Sequence, residues 1–302
     1  MNPREFARSL EGVFGFPVTP FHVDSSLDLD ALARNVDEMA SHPFCAMVAA
    51  GGTGEVYSLS IDEIEQVIAT TVKAVDGRMP VVAGTGFNAV MGMEIARRAA
   101  KSGAEAILVL PPYYVAAPEE GLFAYYEAIG KATGLPLMVY SRDWAVFTPE
   151  MVARLADRVP TLVAWKDGQG DVRRYQRIMN HNGDRLAWMG GLGDDCVPGY
   201  FAIGVQAYTS SISNIAPKLS LRLADVGLRQ RNFDELNRLM ERYVQPLYAI
   251  RERMKGYEVA VMKEAMEMLG IPAGGVRPPL RSLRDEDRDD LQKLMEIYKE
   301  VL

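Results

Sequence analysis

The chain has 302 residues, of which 48% are hydrophobic and 24% are charged, and its formal net charge is −7. This length and composition are typical of a globular protein that buries a large core. An acidic chain without a basic stripe argues against a nucleic-acid partner. No apolar run reaches the length that crosses a bilayer, so we also expect no membrane partner.

The cysteines and histidines give no pattern that would hold a disulfide or a metal. Cys45 and Cys196 are far apart, and neither belongs to a CxxC motif. His22, His42 and His181 are scattered, without HxxxH or HExxH spacing. This usage predicts a reducing compartment and no metal site. The N-terminus lacks the apolar core of a signal peptide, so we expect a cytoplasmic protein.

Short apolar runs alternate with amphipathic stretches over the first 232 residues. The predicted strands are 13–18, 46–50, 80–84, 106–110, 136–140, 162–166, 186–190 and 207–211. Helical patterns separate them, and this alternation predicts a parallel sheet covered by helices. Eight such units favour a closed (β/α)8 TIM barrel over an open doubly wound sheet. No GxGxxG motif follows the first strand, which argues against a dinucleotide.

The remaining residues, 233–302, are predicted to be mostly helical. Periodic patterns cover 233–254, 257–269 and 285–302, and a Gly/Pro-rich break covers 270–280. We predict a catalytic barrel over residues 1–232 and a C-terminal helical extension over 233–302 that packs on it. The sequence leaves open whether this extension contacts the active-site rim or only a neighbouring subunit.

Two polar side chains end neighbouring predicted strands. Active sites of (β/α)8 barrels lie at the carboxyl ends of the strands, where Lys166 ends strand 6 and Tyr140 ends strand 5. A desolvated lysine has a lowered pKa, and a neutral amine attacks ketones to form an imine. Tyr140 at the same level would carry protons. The alternatives are a structural ion pair between Lys166 and Asp167, and a core tyrosine with a satisfied hydroxyl.

The segment GGTGE, 51–55, is a glycine-rich turn before a predicted helix. Backbone N–H groups around Gly52 and Gly54, together with the Thr53 hydroxyl, would cradle an anion. The turn lacks the lysine of a phosphate-binding P-loop, so a carboxylate suits it better than a polyphosphate. The alternative is that the glycines only permit a tight turn.

Taken together, these segments resemble the dihydrodipicolinate synthase / N-acetylneuraminate lyase superfamily over essentially the whole chain. The matching features occur in order: GGTGE after strand 2, AGTG after strand 3, PPYY after strand 4, and then the strand-ending tyrosine and lysine. Within the superfamily, AAGGTGEVYSLS, VYSRDWA, WKDGQGD and YTSSISN are most similar to the branch of 5-dehydro-4-deoxyglucarate dehydratases.

The resemblance implies roles for particular residues. Lys166 matches the Schiff-base lysine, and Tyr140 matches the proton-transfer tyrosine. Thr53, with the amides around Gly52 and Gly54, matches the pocket for the α-keto acid carboxylate. The synthases have two threonines before GE, and Gly52 replaces the first of them here.

Further positions match other parts of the family pattern. Tyr114 matches the second tyrosine of the proton relay, which a neighbouring subunit often supplies, and the loss of a threonine leaves its role open. Ser211 and Asn214 match polar residues of the strand 8 loop in the dehydratase branch. The synthases' carboxylate-binding arginine is replaced by Ala145. Arg142 would instead bind the distal carboxylate of a diacid, the alternative being a salt bridge to Asp143.

The resemblance implies a decarboxylating dehydratase. It would convert 5-dehydro-4-deoxy-D-glucarate, a small keto diacid, to 2,5-dioxopentanoate, CO2 and water through a lysine imine, without a metal or other cofactor. The family also implies a homo-oligomer, either a tetramer or a dimer. Two alternatives stay open: an aldolase for 2-keto-3-deoxy sugar acids, and a non-catalytic sugar-acid-binding barrel. Asp194 and Asp195 after strand 7 are expected to be structural, capping the following helix.

Overall fold

The central sheet closes on itself. In the computed structural model, which describes residues 3–302, eight parallel strands pair in sequence order, and the last pairs with the first. The strands are β1 Gly12–Gly15, β2 Ala46–Ala49, β3 Val81–Phe87, β4 Ala106–Pro112, β5 Leu137–Ser141, β6 Leu162–Asp167, β7 Ala187–Gly190 and β8 Ala207–Ser210. This closed barrel confirms the predicted (β/α)8 TIM-barrel fold.

A helix follows every strand and covers the outside of the barrel. These helices are α2 Leu29–Ala40, α3 Ile61–Val75, α4 Ala89–Lys101, α5 Glu119–Thr133, α6 Pro149–Arg158, α7 Val172–Asn182, α8 Val197–Ala202 and α9 Pro217–Ala224. A further helix, α1 Pro3–Ser9, precedes β1. Phe6 and Leu10 pack with the residues inside the barrel at the amino ends of the strands. The carboxyl ends are thereby left for a cavity.

Polar side chains fix where several of these helices begin. Ser60 and Glu63 form a reciprocal capping box at the start of α3, in which the Ser60 side chain accepts from the Glu63 N–H. The Asn88 side chain accepts from the Met91 N–H at the start of α4. Such caps set the entry of each helix close to the carboxyl end of the preceding strand.

Apolar side chains fill two layers, because the strands are buried on both faces. One layer lies inside the barrel and includes Phe14, Val48, Leu108 and Met138. The other lies between the strands and the surrounding helices. Continuous apolar runs in the sequence therefore correspond to strands without a solvent-facing side.

The C-terminal part is helical, as predicted. It contains α10 Phe233–Leu239, α11 Gln245–Arg251, α12 Tyr257–Met268 and α13 Asp285–Tyr298. The sequence pattern predicts one helix over 233–254, whereas a π-helical turn, Met240–Val244, joins α10 to α11. Pro246 explains this turn, because proline lacks an N–H and its ring crowds the carbonyl four residues earlier. The division of the chain at residues 232 and 233 stays a prediction.

The first strand is shorter than predicted. It ends at Gly15 rather than at residue 18. Pro17 has no N–H for a strand ladder, and the Val18 N–H instead donates to the side-chain oxygen of Asn214 at 3.0 Å.

Within residues 3–302, no helix has the length and apolarity needed to cross a membrane.

Candidate active site

Lys166 and Tyr140 lie side by side at the carboxyl end of the barrel. The two residues are register partners in neighbouring strands β6 and β5. The Lys166 Nζ lies 3.3 Å from the centroid of the Tyr140 ring. Both Nζ and the Tyr140 hydroxyl donate to the Gly191 carbonyl, each at 3.1 Å. The structure thus brings together the two residues that the sequence singled out as an amine and its proton carrier.

The ion pair between Lys166 and Asp167 is not formed. Successive residues of a strand point to opposite faces, so Asp167 points away from the Lys166 amine. The Asp167 carboxylate instead accepts from the Tyr200 hydroxyl at 2.8 Å and from the Gly170 N–H at 3.0 Å. Lys166 is only 4% exposed. Its amine is therefore buried without a carboxylate partner among the described residues.

Burial and charge set the protonation of this pair. Burial lowers the pKa of Lys166 below that of a free lysine, and the opposing influence of Tyr140 is smaller. Burial alone would raise the pKa of Tyr140, but the positive charges of Lys166 and Arg142 outweigh it and lower that pKa. A lysine that loses its proton readily is a nucleophile, and an acidic phenol beside it exchanges protons easily.

Two glycines make room for these side chains. A Cβ on Gly191 would lie 2.3 Å from the Lys166 Cγ, and a Cβ on Gly168 would lie 2.4 Å from the Tyr140 Cε2. No side chain fits at such distances. Glycine directly after β7 and directly after β6 is therefore required by the close approach of the amine and the phenol.

The GGTGE turn forms another side of the site. Gly52 and Thr53 line the cavity, whereas Gly54 does not. The Gly54 carbonyl accepts from the Thr19 hydroxyl at 2.6 Å. Glu55 has a left-handed backbone, and its fully buried carboxylate lies 2.6 Å from the Lys263 Nζ of α12. The turn is thus anchored to the C-terminal helices, and Gly54 supports it from outside the cavity.

Arg142 lies beside Tyr140 rather than alone at the rim. Its Nη1 donates to the Tyr140 hydroxyl at 3.2 Å. Its Nε lies 3.6 Å from the Asp143 Oδ2, so the salt bridge considered as an alternative is also present. Tyr114 lines the cavity but is 88% exposed, and its backbone has a positive φ of 75°. Within the described residues, the Tyr114 hydroxyl has no hydrogen-bond partner.

The loops after β7 and β8 are joined through Asp194. Its fully buried carboxylate accepts from Ser210 Oγ, from the Ser211 N–H and Oγ, and from the Tyr248 hydroxyl. It does not cap α8, which begins without a side-chain cap. The capping role expected from the sequence is therefore wrong for Asp194, although the residue is structural. Ser211 lines the cavity.

Asn214 is not among the residues that line the cavity. Its Nδ2 donates to the Phe16 carbonyl at 2.8 Å and to the Ser211 carbonyl at 2.9 Å. Its Oδ1 accepts from the Val18 N–H. These bonds use the amide to join the chain after β1 to the loop after β8, so we place Asn214 behind the site.

The cavity has a volume of about 900 Å³, and residues of the C-terminal part form one of its walls. These residues include Tyr248, Arg251, Lys255 and Glu258. The extension therefore contacts the active-site rim of its own barrel, which decides a question that the sequence left open. These side chains are not predicted from the sequence. The only local signal was the charged cluster RERMKGYE, 251–258, between two apolar helical patterns.

The described part of the chain holds no cluster of three or more His, Cys, Asp or Glu side chains arranged to bind a metal ion. The polar groups that line the cavity include the Lys166 amine, the Tyr140 phenol, two guanidinium groups and several hydroxyls, together with carboxylates towards the rim. Such a set is suited to imine chemistry and to the binding of carboxylates.

Comparisons with known proteins show what this chain is similar to. The model of the dihydrodipicolinate synthetase family matches residues 9–298. A protein of Bradyrhizobium diazoefficiens named "Probable 5-dehydro-4-deoxyglucarate dehydratase" is 38% identical over 98% of this chain and 95% of its own. One of the same name from Saccharopolyspora erythraea is 40% identical over 94% of this chain and 93% of its own. Dihydrodipicolinate synthase from Bacillus clausii superposes with a TM-score of 0.91 at 30% identity, covering 97% of this chain and 99% of that one.

Proposed function

The chain belongs to the dihydrodipicolinate synthetase family, and we propose that it converts 5-dehydro-4-deoxy-D-glucarate to 2,5-dioxopentanoate, CO2 and water through an imine on Lys166. The observation that carries this proposal is a buried Lys166 amine, free of carboxylate partners, against Tyr140 in the wall of the cavity. The dehydratase names of relatives that match nearly the whole chain support the choice of substrate.

Imine formation needs a neutral amine and a proton donor. The Lys166 nitrogen attacks the ketone carbon, and the carbonyl oxygen becomes a hydroxyl group. This hydroxyl leaves as water with a proton from Tyr140, which becomes a phenolate next to Arg142. Burial opposes the phenolate, but Arg142 and the positive charge that the Lys166 nitrogen gains in the iminium stabilise it, just as the charges of Lys166 and Arg142 outweigh burial and lower the pKa of Tyr140 in the free protein.

The same imine then serves both eliminations. The Tyr140 phenolate removes a proton from the adjacent methylene, and the enamine expels the β-hydroxyl as water with that proton. The conjugated iminium now accepts the electrons of the bond to the far carboxylate, which leaves as CO2. Solvent protonates the resulting dienamine at carbon, and the enol left at the carbon that lost CO2 tautomerises to the aldehyde. Hydrolysis of the imine then releases the product and the Lys166 amine. One proton is consumed overall.

We assign binding of the proximal carboxylate to the GGTGE turn. Gly52 and Thr53 line the cavity and would offer an N–H and a hydroxyl to the carboxylate next to the ketone. Gly54 and Asn214 would act only through the shape of the loops that they hold. Arg142 would stabilise the Tyr140 phenolate, and Ser211 would face the hydroxyl groups of the substrate.

We further propose a homo-oligomer, either a dimer or a tetramer. Tyr113, Tyr114 and Val115 form an exposed apolar segment after β4, at 78%, 88% and 61% exposure. A neighbouring copy would cover it, because adjacent exposed apolar side chains commonly mark an interface. The sequence leaves open whether Tyr114 acts in its own site or in that of a neighbour. The cytoplasmic location stays a prediction.

Product analysis tests the function. Purified protein is incubated with 5-dehydro-4-deoxy-D-glucarate, CO2 is assayed by a coupled reaction, and the organic product is identified by NMR. We expect CO2 and 2,5-dioxopentanoate in equal amounts, and neither with Lys166→Met. The exposed lysine Lys131 provides the matched control, since Lys131→Met removes an amine that does not line the cavity. Pyruvate without CO2 would instead indicate an aldolase, and binding without turnover would indicate a sugar-acid-binding barrel.

A further inference from the structure

Arg251 is a second arginine at the cavity, and the C-terminal helices supply it. It is the last residue of α11 and lines the same cavity as Lys166. Its guanidinium carbon lies 4.2 Å from the centroid of the Tyr248 ring. Its Nη1 donates to the Ser211 Oγ at 2.9 Å. Two contacts from different elements therefore hold the guanidinium in one place.

The guanidinium lacks an anionic partner. Arg251 forms no salt bridge with any carboxylate of residues 3–302, and its buried Nε has no hydrogen-bond acceptor there. Two acids lie near it. Asp194 already accepts from Ser211 and Tyr248. The pKa of Asp195 is raised by burial and then by the charge of Asp194, with Arg251 opposing this, but Asp195 forms no salt bridge with the guanidinium. The Nη2 likewise has no acceptor among residues 3–302, since the only hydrogen bond of the guanidinium is that of Nη1. The cavity wall therefore carries an unpaired positive charge, and this end is suited to a ligand with an anionic group.

Arg142 is less suited than Arg251 to bind a distal carboxylate. Its Nη1 donates to the Tyr140 hydroxyl, and its Nε faces Asp143. A carboxylate bound to Arg142 would compete with both contacts and would weaken the stabilisation of the phenolate. The two arginines thus differ in function: one is tied to the proton carrier, and the other has a free edge.

We propose that Arg251 binds the distal carboxylate of the substrate and selects keto diacids over keto monoacids of the same length. This inference rests on the proposed imine at Lys166, which fixes the keto end of the molecule. The loop Gly191–Asp194 connects the two ends, because Gly191 accepts from Lys166, and Asp194 accepts from Ser211 next to Arg251. Lys166 and Arg251 thus line one cavity of about 900 Å³, which has room for a six-carbon diacid.

The contact predicts a division between KM and kcat. The distal carboxylate carries its charge in the bound substrate and loses it as CO2 departs. A guanidinium therefore stabilises the bound state more than the transition state of decarboxylation. We expect Arg251→Met to raise KM about 100-fold and to change kcat less than about tenfold.

A matched pair of ligands tests the inference without the full reaction. 2-Oxoadipate and 2-oxohexanoate share chain length and the keto acid end, and differ only in the distal carboxylate. Reduction of their imines by borohydride, followed by intact mass, gives the half-saturating concentration of each. We expect the wild-type protein to prefer 2-oxoadipate by about 10- to 100-fold. Arg251→Met should reduce that preference to about threefold or less, and Arg251→Lys should retain part of it.

Arg142→Met removes the other cavity arginine, and it should slow the trapping of both ligands alike while keeping the preference for 2-oxoadipate. Trapping of pyruvate, which has no distal end, should be unchanged in Arg251→Met and reports that the site is intact. A wild-type protein without preference, or an Arg251→Met variant that keeps it, would overturn the inference. The two proposals can fail separately. A protein that prefers 2-oxoadipate but releases no CO2 from 5-dehydro-4-deoxy-D-glucarate refutes only the dehydratase function. A protein that releases CO2 but shows no preference between the two ligands refutes only the role of Arg251.

Discussion

The buried pair of Glu55 and Lys263 joins the GGTGE turn to the C-terminal helices. The two side chains are 0% and 2% exposed, and their charged atoms lie 2.6 Å apart. The Lys263 Nζ also donates to the Gly275 carbonyl at 2.8 Å and lies 4.0 Å from the centroid of the Phe21 ring. Removing one partner leaves the other charge buried, which costs about 3–5 kcal/mol.

We expect Lys263→Met and Glu55→Gln each to lower the free energy of unfolding by about that amount. For 302 residues, an unfolding entropy of about 2.1 cal/mol/K per residue gives about 0.6 kcal/mol/K, so Tm falls by about 5–8 °C. The double variant should lose less than the sum, since it leaves no unpaired charge, and the coupling should be about 1–3 kcal/mol. The KM for the keto acid should rise in both single variants, because the turn is loosened.

The assay is urea unfolding of the four proteins at one protein concentration, with thermal unfolding as a second measure. Lys131→Met is the control, because Lys131 pairs with Glu127 at the surface with a side chain that is 73% exposed. Its loss should cost about 0.5 kcal/mol or less. Single variants that lose under about 1 kcal/mol, or losses that add in the double variant, would refute the account of a coupled buried pair.

Three further predictions concern the site. Arg142→Met removes a positive charge that lowers the pKa of Tyr140. The limb of the kcat/KM pH profile that reports Tyr140 should therefore move to higher pH, and it should move less in Arg142→Lys. An unchanged profile would contradict this. Gly191→Ala places a Cβ 2.3 Å from the Lys166 Cγ and should reduce kcat/KM about 100-fold in a folded protein. The control Gly121→Ala, whose Cβ meets nothing closer than 3.5 Å, should stay active. Asn214→Ala loses the hydrogen bonds to Phe16 and Val18. It should lower the free energy of unfolding by about 1–3 kcal/mol and leave KM unchanged. A raised KM at full stability would instead give Asn214 a role in binding.

The sequence predicts the barrel well because its strands are buried on both faces and leave continuous apolar runs. The same runs place Lys166 and Tyr140 at equal height, because neighbouring parallel strands end at one rim, and their register pairing agrees with that inference. The end of β1 was predicted too late, since the apolar run continues through Pro17, which takes no part in the ladder.

The parts that sequence reasoning missed depend on contacts between distant segments. Arg251 and Tyr248 reach the cavity only because α11 packs across the rim, and no local pattern encodes that approach. The roles of Asp194 and Asn214 likewise follow from partners far along the chain. A polar residue in a loop after a strand has the same local appearance whether it faces the substrate or holds the loop.

The most direct test of the account is the identity of the residue that carries the imine. The protein is incubated with 5-dehydro-4-deoxy-D-glucarate and borohydride, digested, and mapped by peptide mass spectrometry. We predict one reduced adduct on Lys166, formed by a buried amine with a lowered pKa caused by that burial. An adduct on another cavity lysine such as Lys255, or no adduct while CO2 is released, would contradict the central claim that Lys166 is the electron sink of the reaction.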